Sequence, residues 1–253
     1  MLHATILKTH HQFESEARKL VDYVRSAHAF SYESSGTTVQ GAFEIEKKWK
    51  SILDASHSRS RFKREILPTF GANLDASQKA YVHTLLEYLH RNETPVYIAE
   101  RFSIEESKRE NELYTKGLWM QANGYSLIEA GHRQAGIEKV YGGLVKEVQR
   151  QCLIDKNIAN NLNSAEEVIR ARYGIVADPL SLFIQIGAVH SPEDYVDSQN
   201  GSLQVSVLSL ADHLRGTNKS KVEMSNVIRN GASLFEMEKF IVADYELMLN
   251  SRK

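Results

Sequence analysis

The sequence predicts an all-α fold, an irregular multi-helix assembly of about ten helices. Apolar residues recur at the spacing of one helix face, and residues that cap helix N-termini repeatedly precede these stretches. Glycine or proline follows where the helices should end. Strand candidates are few: residues 182–186 and 205–208 have β-branched or alternating character, but a helix-start signal precedes the first of them.

The first third of the chain carries three apolar helix stripes. The first covers roughly 12–30, the second covers 45–53, and the third opens at an N-cap, Asp75. Residues 62–67 form a short helical piece that Pro68 stops, because proline lacks the amide hydrogen that a helix interior needs. Helical segments are therefore expected to begin close to the N-terminus.

Further signals for helix starts and helix ends occur along the rest of the chain. A serine stands three residues before a glutamate at Ser103/Glu106, Ser126/Glu129, Ser164/Glu167 and Ser233/Glu236. Glycines at expected helix ends are Gly124, Gly174, Gly216 and Gly231. Proline occupies the expected first helical position after Asp178 and Ser191. The last predicted helix, 234–250, has an apolar stripe that is expected to pack in the core or to support a homo-oligomer.

The helix predicted from about 126 to 150 contains several glycines opposite its apolar stripe. Each interior glycine costs roughly 0.5–1 kcal/mol relative to alanine, so their accumulation needs a reason. Close approach of neighbouring helices on both sides is one explanation. A helix break at Gly142-Gly143 is the alternative.

Two helical domains are predicted. The N-terminal domain spans 1–153 and includes the basic segment, and the C-terminal domain spans 164–253. The joint between them is expected at 154–163, which is polar and rich in asparagine. A helical solenoid is not expected, because the chain has no internal repeat with a period of about 30–50 residues.

Composition excludes several classes of protein. The 253 residues are 42% hydrophobic and 25% charged, with a net charge of −1, which is an ordinary globular mixture and argues against a histone-like coat of positive charge. No apolar run approaches the ~20 residues of a membrane span, and the start lacks the apolar core of a secretory signal. The single cysteine, Cys152, favours a reducing, cytoplasmic location. The motifs of P-loop, dinucleotide-binding and α/β-hydrolase proteins do not occur.

Charge is the most informative functional pattern. Seven basic residues lie between positions 47 and 64: Lys47, Lys48, Lys50, Arg59, Arg61, Lys63 and Arg64. Asp54 is the only acid in that span, so the segment carries +6. Phe62 stands among the cations, a combination that suits phosphate contacts together with base or apolar stacking. A solvated helical edge, an anionic protein and a lipid headgroup are the alternatives.

A second candidate surface lies in the helical pair predicted at 210–231. Its outward positions would carry Lys219, Lys221, Asn226 and Arg229, where a recognition helix meets a DNA groove. Any two short amphipathic helices around a glycine produce the same rhythm, so a purely structural pair is the stronger interpretation.

A metal site is a weaker hypothesis. His83, Glu87 and His90 share one helix face, with the spacing at which two ligands can chelate a transition metal. This face points away from the apolar stripe of its helix, which indicates solvent exposure. The pairs Glu87/His90 and Glu129/His132 do not point inward, as a di-metal bundle requires. No metal or cofactor is therefore expected.

Three functional hypotheses follow. The leading one is a non-enzymatic intracellular regulatory protein that associates with nucleic acid through its basic patch. The second is a helical protein–protein adaptor or effector. The third is a helical enzyme with a weak metal site at His83, Glu87 and His90.

Overall fold

A computed structural model describes residues 1–9, 17–18, 20–21, 24–32, 36–55, 58–70, 75–196, 201–209 and 217–251, with the side chains at 77, 209, 217–221 and 251 left out. Within these ranges the chain has an α/β fold that combines helices with a parallel sheet. The predictions of an all-α fold and of a helical bundle are therefore wrong.

The sheet is formed by strands β1 (Leu2–Thr9), β2 (Ala29–Tyr32), β3 (Leu180–Gly187) and β4 (Leu203–Ser209), in the order β2-β3-β1-β4. All three pairings are parallel. Strand β1 lies in the middle, with Ala4 opposite Leu182 of β3 and Val205 of β4. The extreme N-terminus therefore supplies an interior strand of the sheet.

Burial explains why strand β3 escapes sequence-based prediction. Strand β3 is buried at six of its eight positions. Parallel strands covered on both faces give a continuous apolar run, which periodicity cannot distinguish from a buried helical segment. Asp178-Pro179, predicted to start a helix, directly precedes β3 instead. The two strand candidates at 182–186 and 205–208 lie within β3 and β4.

The longer helices are α1 (Val39–Asp54), α2 (Ala76–Arg91), α3 (Ile104–Glu129), α4 (Arg133–Tyr173), α5 (Thr217–Arg229) and α6 (Leu234–Ser251). Helical residues also occur at 17–18, 20–21 and 24, at 59–69 and at Pro192–Tyr195. Two predicted caps are confirmed. The Asp75 carboxylate accepts a hydrogen bond from the backbone amide of Gln78 at 2.8 Å. The Glu236 carboxylate accepts one from the backbone amide of Ser233 at 2.7 Å.

The helix starts predicted at Ser126 and Ser164 are wrong. Ser126 lies in the last turn of α3, where its hydroxyl donates to the Ala122 carbonyl at 3.1 Å, and Ser164 lies inside α4. The chain turns instead at 130–132, where Gly131 has a φ of 87°. This left-handed conformation ends α3, as a C-terminal glycine commonly does.

Glycines allow α3 and α4 to pack closely. A Cβ atom on Gly136 would lie 2.6 Å from the carbonyl oxygen of Gly124, and one on Gly143 would lie 2.7 Å from that of Gly117. The helix is therefore closely approached at these positions by one neighbour, α3, whereas the prediction had placed a neighbour on both sides. The alternative break is wrong, because α4 continues through Gly142 and Gly143.

Residues 154–163, predicted as a joint, are helical and belong to α4. Asn157 explains part of this polar composition. Its side-chain oxygen accepts from the Arg101 amide at 2.7 Å, and its side-chain nitrogen donates to the Arg101 carbonyl at 2.8 Å. The side-chain amide of Asn157 thus satisfies the backbone hydrogen-bonding groups of Arg101, and the helix continues without interruption.

The described chain divides into two compact units. The sheet unit comprises Met1–Ser103, Lys156–Ala188 and Pro192–Ala211, and the helical unit comprises Ile104–Asp155, Val189–Ser191 and Asp212–Lys253. Phe30, Trp49 and Phe62 are buried in the core of the sheet unit. Ile137, Met237 and Ile241 are buried in that of the helical unit. Within the described ranges, none of the helices has both the length and the apolar character that crossing a membrane requires.

Candidate anion-binding cleft

Apolar side chains anchor the basic segment to the sheet unit. The ring of Phe62 is fully buried, stacks on the His90 ring at a centroid distance of 4.0 Å and meets the Trp49 ring edge-on at 6.4 Å. Leu67 is buried five residues later. Of the two predicted roles of this ring, base stacking is therefore wrong, since the ring has no exposed face, whereas stacking within the core is what the structure shows. The cations around it remain exposed and available to a ligand.

Glu87 of α2 holds two of the predicted cations with one carboxylate. Arg59 donates to its Oε1 atom at 2.6 Å, and the Lys63 ammonium lies 2.8 Å from the same oxygen. Burial alone would raise the pKa of Glu87, but the hydrogen bonds from Lys63 and Arg59 hold it below its ordinary value. Glu87 is consequently ionised at neutral pH and opposes two positive charges with one negative charge.

Glu65 likewise pairs with two cations, on the exposed side of the segment. Arg64 and Arg61 donate to its carboxylate at 2.8 and 3.0 Å, and these hydrogen bonds hold the pKa of Glu65 below its ordinary value. Exposed ion pairs of this kind contribute only about 0–1 kcal/mol to stability. Both arginines can therefore exchange this partner for another anion at low cost.

The predicted lysines at the end of α1 complete the patch. Lys50 pairs with Asp54 at 2.5 Å, whereas Lys47 and Lys48 are exposed. The Lys48 ammonium lies 4.8 Å from the centre of the Phe70 ring. The seven cations of the patch thus meet three acids in the described structure, which leaves an excess of four positive charges.

The structure brings Arg59 and Lys63 together with two cations that the sequence analysis missed, Arg18 and Arg91. These four side chains line a cleft of about 390 Å³ in which Glu87 is the single acidic lining residue described. Arg91 stands four residues after Glu87, so helical spacing could have placed it on the same face of α2. No sequence signal pointed to Arg18, because only tertiary packing brings this side chain to the cleft.

The hypothetical metal ligands do not converge. His83 lies with a ring nitrogen 3.1 Å from the Phe70 carbonyl oxygen, and His90 stacks on Phe62. Glu87 is engaged by the two cations described above. Across the described part of the chain, no group of three histidine, cysteine, aspartate or glutamate side chains is arranged to hold a metal ion.

The residues predicted on the C-terminal helical pair are dispersed. Asn226 is exposed on α5. Arg229 is turned inward instead, donating to Asp155 at 2.8 Å and to the Val189 carbonyl at 3.1 Å, while His190 lies 2.8 Å from the other Asp155 oxygen. Arg229 therefore does not extend the cationic surface. The segment 210–216 and the side chains of Lys219 and Lys221 lie outside the described residues.

A buried ion-pair cluster in the sheet unit also escaped the sequence analysis. The fully buried Glu46 carboxylate pairs with Arg101 and Arg172 and accepts from the Ile98 amide at 2.7 Å. Such a cluster fixes the backbone around Ile98, because a buried charge must keep its partners. The large sequence separations of these residues hide the cluster from any local pattern.

Comparison with known proteins found no significant similarity. The chain matches no protein-family model, no curated protein and no solved structure with significance. The observations above define it by class alone, as a protein with a parallel α/β sheet unit, a helical unit and a basic cleft on the sheet unit.

Proposed function

We propose that the protein binds nucleic acid through the cleft of Arg18, Arg59, Lys63 and Arg91 and through the cations that surround it in the 47–64 patch. The observation that carries this proposal is the gathering of four cations around one carboxylate. A phosphodiester backbone supplies anions in series, and its binding releases condensed counterions. The protein as a whole has a net charge of −1, so the positive charge is local.

Contacts to phosphate, more than contacts to bases, fit the surroundings of the cleft. Tyr88 is the one aromatic residue among the described lining side chains, and its hydroxyl is buried. Arginine can bind two phosphate oxygens at once, and the weak exposed pairs with Glu65 are readily replaced. The proposed binding therefore tolerates many sequences, since phosphate contacts carry no base information.

The proposed role is regulatory, non-enzymatic and cytoplasmic. The cytoplasmic part of the proposal is supported only by the cysteine content, since Cys152 is the single cysteine of the chain and suits a reducing compartment. The catalytic alternative loses its basis in His83, Glu87 and His90, because each of these side chains has another partner.

Fluorescence anisotropy with a short labelled DNA duplex and a labelled single-stranded RNA tests the proposal. Affinity should fall steeply between about 50 and 200 mM salt. Neutralisation of four duplex phosphates by the cleft cations gives an expected slope of about −3.6 for log K against log salt, since each contributes about −0.9. Absence of binding even at the lowest salt would contradict the proposal.

Charge-reversal variants locate the surface. Arg59→Glu combined with Lys63→Glu should abolish binding and leave the helical circular dichroism spectrum unchanged. Lys108→Glu combined with Arg109→Glu is the matched control, because both residues are exposed on α3 of the helical unit and the change in net charge is the same. An equal loss of binding in both double variants would point to net charge instead of the cleft.

A protein partner is the second candidate. On α3, Leu118 and Trp119 are 48% and 59% exposed, and exposed tryptophan is common at binding surfaces. Phe235 of α6 is 85% exposed, so this helix could also contact a second copy. A Trp119→Ala substitution that leaves nucleic-acid binding intact but abolishes capture of a specific protein or self-association would favour this candidate.

A further inference from the structure

Two cations of the anion-binding cleft meet at a single oxygen atom. Arg59 donates to Oε1 of Glu87 through Nη2 at 2.6 Å and through Nε at 3.0 Å, and the Lys63 ammonium lies 2.8 Å from the same oxygen. The Arg59 and Lys63 side chains are 58% and 46% exposed. An anion that enters the cleft can therefore reach both of them from the solvent side.

Two further cations line the cleft from other parts of the sheet unit. Arg91 follows Glu87 by one turn at the end of α2, so it stands on the same helix face. Arg18 lines the cleft from the helical residues 17–18. The volume of about 390 Å³ lies in the lower part of the range that small organic ligands occupy, roughly 300–1,000 Å³. The cleft is therefore large enough for one phosphate group together with the nucleoside that carries it.

The charge of the cleft favours a doubly charged group. Among the described lining side chains four are cationic and only Glu87 is anionic, which leaves an excess of three positive charges. The carbonyl end of α2 offsets roughly half a charge of this excess. A phosphodiester brings one negative charge, whereas a terminal phosphomonoester brings about 1.5 to 2 at pH 7. The phosphomonoester therefore neutralises the cleft more completely and offers three strong acceptor oxygens to the converging cations.

We propose that the cleft receives the phosphorylated end of a nucleic-acid strand, with the terminal phosphomonoester between Arg59, Lys63 and Arg91. This inference rests on the proposed function, because it names the phosphate group of the bound strand that occupies the cleft. Strands with hydroxyl ends still bind through their phosphodiesters, with the salt dependence given above. A phosphorylated end adds the stronger hydrogen bonds that a dianion accepts.

Fluorescence anisotropy with three single-stranded RNAs of one sequence tests the inference. The strands carry an internal label and end in a 5′-phosphate, in a 3′-phosphate or in hydroxyl groups alone. A phosphate at one of the two ends should tighten binding by about tenfold at physiological salt. Equal affinity of all three strands would overturn the inference and leave the proposed function standing, whereas failure of every strand to bind would contradict both.

Two arginine substitutions assign the preference to the cleft. Arg91→Gln should reduce the affinity ratio of the phosphorylated to the hydroxyl-ended strand from about ten to about two, because Arg91 lines the cleft. Arg64→Gln is the matched control, since Arg64 belongs to the patch, is likewise exposed and does not line the cleft. It should weaken the binding of both strands alike and leave the ratio unchanged. An unchanged ratio in Arg91→Gln, or an equal fall in both variants, would overturn the assignment.

A phosphoserine peptide separates a nucleic-acid end from a phosphorylated protein as the source of the phosphomonoester. The peptide should displace the labelled phosphorylated RNA only at a concentration about tenfold or more above that of the unlabelled RNA. The reason is that the peptide lacks the further phosphates that contact the surrounding cations. Displacement by the peptide at an equal or lower concentration would overturn the proposal in favour of a protein partner.

Discussion

At the scale of single residues, Glu87 is the most informative side chain of the candidate cleft. It joins Arg59 and Lys63 at distances of 2.6 and 2.8 Å and lies beside Arg91 and Arg18 in the cleft lining. The carboxylate occupies the place that a phosphate group would take between these cations. Glu87 is therefore expected to compete with the proposed ligand.

Replacement of Glu87 by glutamine should strengthen nucleic-acid binding by roughly two- to fivefold at low salt, because the change frees two cations and removes one repulsive charge. Anisotropy titrations of both proteins measure the effect. Glu112→Gln, which removes an exposed acid from α3, controls for the change in net charge. Weaker binding by Glu87→Gln would instead assign a supporting role to this carboxylate.

Substitutions at the buried Phe62 and at its exposed neighbour Arg64 should differ in their effect on stability. Phe62→Ala removes a fully buried ring and should lower the free energy of unfolding by about 3–5 kcal/mol. Arg64→Ala should change it by less than about 0.5 kcal/mol, since this side chain is 73% exposed. Urea unfolding measures both values. Similar losses in the two variants would contradict the anchoring role of Phe62.

At the scale of elements, local capping signals predict helix starts only where the chain is free to turn. The signals at Asp75 and Ser233 are confirmed by their hydrogen bonds, whereas the same pattern at Ser126 and Ser164 occurs within helices. Serine and glutamate three residues apart are compatible with a helix interior. Packing of α3 against α4 then decides where the chain turns.

The glycines at this helix pair permit a sharp test. Gly136→Ala should destabilise the protein by about 1–3 kcal/mol, although alanine normally favours a helix, because its Cβ would lie 2.6 Å from the Gly124 carbonyl oxygen. Gly142→Ala is the control on the same helix. Its Cβ would meet the flexible end of Met120, which can move aside, so this change should be neutral or stabilising. Thermal unfolding distinguishes them, and equal effects would contradict the packing argument.

At the scale of the whole molecule, ion pairs and hydrogen bonds at dispersed carboxylates give stability a pH dependence. Hydrogen bonds hold the pKa below its ordinary value at Glu65, Glu166, Asp178 and Glu236. The Met1 ammonium is the main partner of Glu166 and Asp178. Because the folded pKa values are depressed, the stabilisation is present above the unfolded values and disappears as the pH falls through the folded values.

The midpoint of thermal unfolding should accordingly fall once the pH drops below the ordinary glutamate value of 4.5. Three of these groups are exposed and Glu166 is half-buried, so added salt should reduce the size of the fall. Circular dichroism melts at several pH values and two salt concentrations measure it. A midpoint that rises on acidification would contradict the assignment.

The sequence by itself determined the features that depend on neighbours along the chain. Helical spacing and caps predicted α2 and α6, and the density of lysine and arginine predicted the exposed patch of 47–64. The parallel sheet could not be predicted in this way, because β1 pairs with β3 and β4 across separations of roughly 180–200 residues, which no pattern of neighbouring residues reveals.

Tertiary structure alone decided which charged side chains meet. It placed Arg18 beside Arg59 and Lys63, buried the aromatic ring that the sequence offered for stacking, and turned Arg229 toward Asp155. It also brought the Asp244 carboxylate of α6 to the Tyr125 hydroxyl of α3, at 2.7 Å. Charge and aromatic content are properties of a sequence, whereas a binding site requires their convergence in space, and that convergence follows from which faces are buried together.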